Sequence, residues 1–117
     1  MAREFLRKVI ISHEKDIIYT GFILRELQFQ LDDKLLGKVK LFLEKRCIFI
    51  HAEDIDYKMA RKLEFESKFT ISFFDCMHIA LCKRLNYILI TRDKALIDSA
   101  KRYIAVNKPE EVFLFFP

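Results

Sequence analysis

Glycine and proline are scarce: two of each in 117 residues. That leaves no material for a flexible linker, a low-complexity segment or a chain of small repeats, so one compact unit of 1–117 is expected. Cysteine is scarce too. Cys47, Cys76 and Cys82 are odd in number, lie in apolar runs and lack the close pairing of a zinc or redox motif, which reads as buried, reduced thiols. No apolar stretch reaches membrane-spanning length, and MAREFLRK lacks the apolar core of a signal peptide. A soluble, cytoplasmic protein with no membrane partner is the expectation.

What is present is apolar bulk and a mild basic surplus. Hydrophobic residues make up 52% of the chain and twelve are Phe. A chain of this size buries roughly two thirds of its unfolded surface, enough for a core without covalent staples. The net charge of +4 fits a phosphate-rich partner such as RNA but is too modest to argue for one alone.

Helical and strand-like segments alternate. Arg3 to His13 reads as a helix, with Phe5, Leu6, Val9 and Ile10 on one face. Ile17 to Thr20 is a short buried strand, and Thr20 can cap a helix to about Leu31. Lys34 to Lys45 and Glu53 to Glu66 read as helices on either side of a strand from Cys47 to Ile50. Ser72 to Asn86 is a helix apolar around most of its circumference, followed by a central strand from Tyr87 to Thr91. Asp93 caps a helix to about Arg102, Tyr103 to Val106 is a last core strand, and PEEVFLFFP closes the chain. This order predicts an α/β fold, a mostly parallel sheet flanked by helices.

Three acids stand out in that arrangement. Ligands of such sheets bind where strands end and helices begin, and Glu26, Asp75 and Asp93 all fall on that edge. Asp75 interrupts a nearly all-apolar run, where an ionised carboxylate needs a partner. The same positions are also what helix N-termini attract: Ser72-Phe-Phe-Asp75 has capping-box spacing, Asp93 is an ordinary N-cap, and Glu26 beside Arg25 can be a solvated helix residue. Both readings stay open on spacing alone. His78, one turn after Asp75, reads as a hydrogen-bonded core histidine rather than a ligand.

The segment SFFDCMHIALCKRLNYILITRDKAL, followed by IAVNKPEEV, resembles the C-terminal half of PIN-domain nucleases, the fold of the VapC-type toxins; IIYTGFILREL resembles their strand and Glu-bearing helix. The resemblance implies that Glu26, Asp75 and Asp93 are the family's second, third and fourth acids, catalytic and metal-binding, with Thr91 a polar helper beside the cofactor. It implies Mg²⁺- or Mn²⁺-dependent hydrolysis of RNA phosphodiesters, and an antitoxin protein as a partner. Such cations take oxygen ligands. Carboxylates about 5 Å apart repel by roughly 3 kcal/mol at an effective dielectric near 20, and a cation removes that penalty. Lys83, Arg84, Arg92 and Lys94 are candidate phosphate contacts, or solvated charges.

Family members open with an apolar strand that ends in Asp and lies mid-sheet. No such opening is legible here: Asp16 precedes a strand and Asp32-Asp33 follows a helix. The expectation is therefore an N-terminally truncated PIN-like domain without the family's first strand, first helix and first acid. Either the start lies further upstream, or VFLFFP or a strand from a second copy fills the gap, and exposed edges favour a homodimer. A degenerate ribonuclease and a non-catalytic interaction module are both compatible with this pattern.

Overall fold

The computed structural model describes residues 8–12, 14 and 16–113. Its centre is a five-stranded sheet. The strands are β1 (Lys8–Ile11), β2 (Ile17–Tyr19), β3 (Ile48–Phe49), β4 (Ile88–Thr91) and β5 (Ala105–Asn107), in the spatial order β3-β2-β1-β4-β5. Among the described residues six helices flank it: α1 (Gly21–Gln30), α2 (Asp33–Arg46), α3 (Asp54–Glu66), α4 (Phe73–Leu85), α5 (Lys94–Ala100) and α6 (Pro109–Phe113).

The parallel pairings β2 with β3 and β4 with β5 follow from the intervening helices, which return the chain to start each strand at the same end. β1 runs against both of its neighbours, joined to β2 by a short hairpin and aligned with β4 along Lys8↔Thr91 and Ile10↔Leu89. Four strands thus point one way and the middle one points back, an α/β fold of the expected class with a mixed sheet.

Two differences from the sequence reading concern this middle. The described part of the expected Arg3–His13 helix is strand β1, while residues 3–7 and 13 lie outside the described residues. Val9, Ile10 and Ile11 are β-branched, and that preference, with partners on both sides, outweighs the helical spacing of the apolar positions. The position expected to be open, or filled by VFLFFP or a second copy, is held by β1 of the same chain. The backbone of Pro109–Phe113 forms α6, and residues 114–117 lie outside the described set.

The main core lies on one face of the sheet. Ile10, Ile18 and Leu89 stand side by side in register and meet Ala60 and Leu63 of α3, Met77, Ile79 and Ala80 of α4, and Leu96 and Ala100 of α5. α4 is buried without a break from Asp75 to Cys82, as its apolar circumference predicts. Tyr19, alternating with Ile18, points to the other face and packs with Leu27 of α1 and Leu43 of α2. β3 and β5 are the edges, so the segment expected as a last core strand is a half-covered edge strand, shifted towards Asn107.

Cys76 and Cys82 are buried, and burial first of all raises their thiol pKa values to about 11 and about 12, the form of inert core thiols. Cys47 is only half-buried. Among the described residues no helix is long and apolar enough to cross a membrane.

Candidate metal centre at the end of the central strand

Thr20 ends β2 and caps α1 by accepting the Ile23 N–H at 3.2 Å. From that fixed start, Glu26 comes round in the second turn and faces α4. Ser72 caps α4 by accepting the Asp75 N–H at 3.2 Å. The Asp75 carboxylate does not return to Ser72, as a capping box would require; it turns towards β1. Lys8 Nζ lies 2.6 Å from Asp75 Oδ1 and 3.6 Å from Glu26 Oε2.

The reversal of β1 explains why a lysine is there. In an antiparallel strand the first residue, not the last, lies at the edge where β2 and β4 end. Lys8 faces the same side as Ile10, two residues on, and so reaches the start of α4.

His78 completes the group. It is 2% exposed, and its Nε2–H donates to Glu26 Oε1 at 2.7 Å. It is a satisfied core histidine, as expected, but its acceptor is the candidate Glu. Sequence reading missed that link, although the i, i+3 spacing from Asp75 places both side chains on one helix face. One donor atom from each of Glu26, Asp75 and His78 lies within 4.8 Å of the others, a group able to hold a metal ion.

The two carboxylates face one ammonium and one imidazole. Burial pulls the Lys8 pKa down, but the hydrogen-bonding and charge interactions with Asp75, then Glu26, outweigh it and leave it above 10.5. Burial pushes the Glu26 carboxyl up, and His78 followed by Lys8 reverses this, to below 4.5. Asp75 Oδ1 lies 2.6 Å from Lys8 Nζ, and among the described residues that ammonium is its partner. Two carboxylates and an imidazole within 4.8 Å of one another are a donor set that fits a divalent cation, although an ammonium now stands beside both acids.

Asp93 contributes no atom to this group. Its carboxylate caps α5 by accepting the Leu96 N–H at 3.2 Å, and the residue is exposed. Thr91 is 1% exposed, lies opposite Lys8 in the sheet, and accepts the Asp93 N–H at 3.1 Å. The candidate phosphate contacts are largely engaged elsewhere. Arg84 forks onto buried Asp56 at 2.8 and 2.9 Å, Lys83 lies over the Tyr103 ring, and Arg92 pairs with Glu110, while Lys94 is exposed beside Asp93. The Asp56–Arg84 pair was not foreseen from sequence.

A family model described as PIN domain matches residues 3–102. PIN domains are in general divalent-metal-dependent nucleases that act on RNA. Comparison with curated proteins and with solved structures returned no match.

Proposed function

The chain belongs to the PIN-domain family, and on that premise we propose that it is an Mg²⁺- or Mn²⁺-dependent endoribonuclease of the VapC toxin type with a weakened cation site. Glu26 and Asp75 would hold the ion, with His78 fixing Glu26 through Oε1. Asp93 and Thr91, where β4 gives way to α5, would serve the same edge from the other side. The observation that carries this reading is the convergence of Glu26, Asp75 and His78, each offering one potential ligand atom within 4.8 Å of the others. A divalent ion, when bound, supplies Lewis-acid charge at a phosphodiester. The side chains of this chain hold and orient it. A cytoplasmic setting, an antitoxin and a homodimer belong to the same reading; exposed Ile48 and Phe49 on edge strand β3 offer an apolar surface for a protein partner.

A second reading, the non-catalytic interaction module, is favoured by a different observation: an ammonium group already offsets part of the charge of the two acids. Calorimetric titration with Mn²⁺, paired with cleavage of single-stranded RNA, separates the two. The nuclease binds Mn²⁺ above the background of a Glu26→Gln, Asp75→Asn, Asp93→Asn triple variant and loses cleavage in that variant. The module shows neither.

A further inference from the structure

We propose that the Lys8 ammonium is the resident cation of the Glu26–Asp75 site, so that a divalent ion enters only by displacing it. This deepens the reading above and rests on it for the identity of the site.

The geometry is that of a tenant, not a neighbour. Lys8 Nζ stands between the two carboxylates, 2.6 Å from one and 3.6 Å from the other. All three side chains are largely enclosed, at 23% exposure for Lys8, 19% for Glu26 and 12% for Asp75. Two partly buried anions need a positive charge among them, and a lysine ammonium is a compact point charge on a flexible stem, suited to that place and able to leave it. The stem is anchored by the strand that follows, in which Ile10 and Ile11 pair with a strand on either side, so its local concentration at the site is high. It is an imperfect occupant. One ammonium carries a single charge against two carboxylates and lies close to only one of them, 2.6 Å against 3.6 Å, whereas a smaller, doubly charged ion would match both.

The test is Mn²⁺ binding measured calorimetrically on the whole chain, with Mn²⁺ alone as the probe. Lys8→Gln, which keeps a donor for Asp75 but no charge, should bind Mn²⁺ at least about tenfold more tightly than the parent. Lys8→Arg, which keeps the charge, should stay as weak as the parent. If Lys8→Gln does not fold in metal-free buffer, Mn²⁺ should restore its circular dichroism. Equal or weaker Mn²⁺ binding by a folded Lys8→Gln, or no rescue of an unfolded one, overturns the proposal. RNA cleavage plays no part in this readout: tightened Mn²⁺ binding with no cleavage would refute the nuclease and leave the role of Lys8 standing.

Discussion

Glu26 receives a ring N–H from His78 on one carboxylate oxygen and a lysine charge on the other, and this double hold gives its titration a sign. Its folded pKa lies below 4.5, so its contribution to stability is complete above that value and disappears as pH falls through the folded pKa. Lys8 mirrors this: its contribution is complete below 10.5 and lost as pH rises through the raised folded value. Urea midpoints measured from pH 7 downward should therefore fall off below about pH 4.5, and Glu26→Gln should remove part of that acid slope while lowering the plateau. Asp75→Asn tests the other acid. Carboxylate repulsion alone would make that change neutral or stabilising without metal, but with Lys8 in between it removes the stronger ion pair. Metal-free stability should drop by about 2 kcal/mol in urea denaturation. At this scale the sequence was half legible. An acid in an all-apolar run marks itself, and Glu26 and Asp75 are in one group; His78 was legible as a hydrogen-bonded core histidine but not as the partner of Glu26, and Lys8 was not legible at all. The Glu26–His78 contact spans 52 positions, and Lys8 enters only because its strand is reversed.

Elements declare themselves where capping and apolar spacing agree. Thr20, Ser72 and Asp93 each cap the helix expected of them, and α1 to α5 begin within a residue or so of the predicted positions. Strand β1 was misread because four residues of β-branched and basic character cannot outvote a helical spacing that extends beyond them; only the two flanking strands decide the matter. The junction of α3 and α4 was likewise silent. There Asp56, 1% exposed, accepts the Glu53 N–H at 2.8 Å as part of its own helix start and takes both arms of Arg84 from α4. Arg84→Ala would leave that carboxylate buried with a single donor, and a loss of about 3 kcal/mol is expected in urea denaturation. Arg84→Lys, which keeps the charge but not the fork, should fall between.

For the molecule as a whole, β1 is the seam. β2 with β3 forms one parallel pair, β4 with β5 another, and among the described residues β1 alone joins them in the sheet. Ile10 is 1% exposed and sits against both pairs and the helices beneath. Ile10→Ala should cost about 3 kcal/mol through lost burial and a cavity, lowering the melting temperature in a calorimetric scan.

The same seam sets an order of events during synthesis. Ile10 meets Ile18 within a hairpin that can form as soon as Ile18 is made, whereas its other neighbour, Leu89, follows only after α1 to α4 have been made. Until then β1 has an open side, a bare edge that another nascent copy could pair with. The step that closes it lays Thr91 against Lys8. Closing the bare edge of β1 is therefore a late event that waits for β4, after every residue of the charged group has been made.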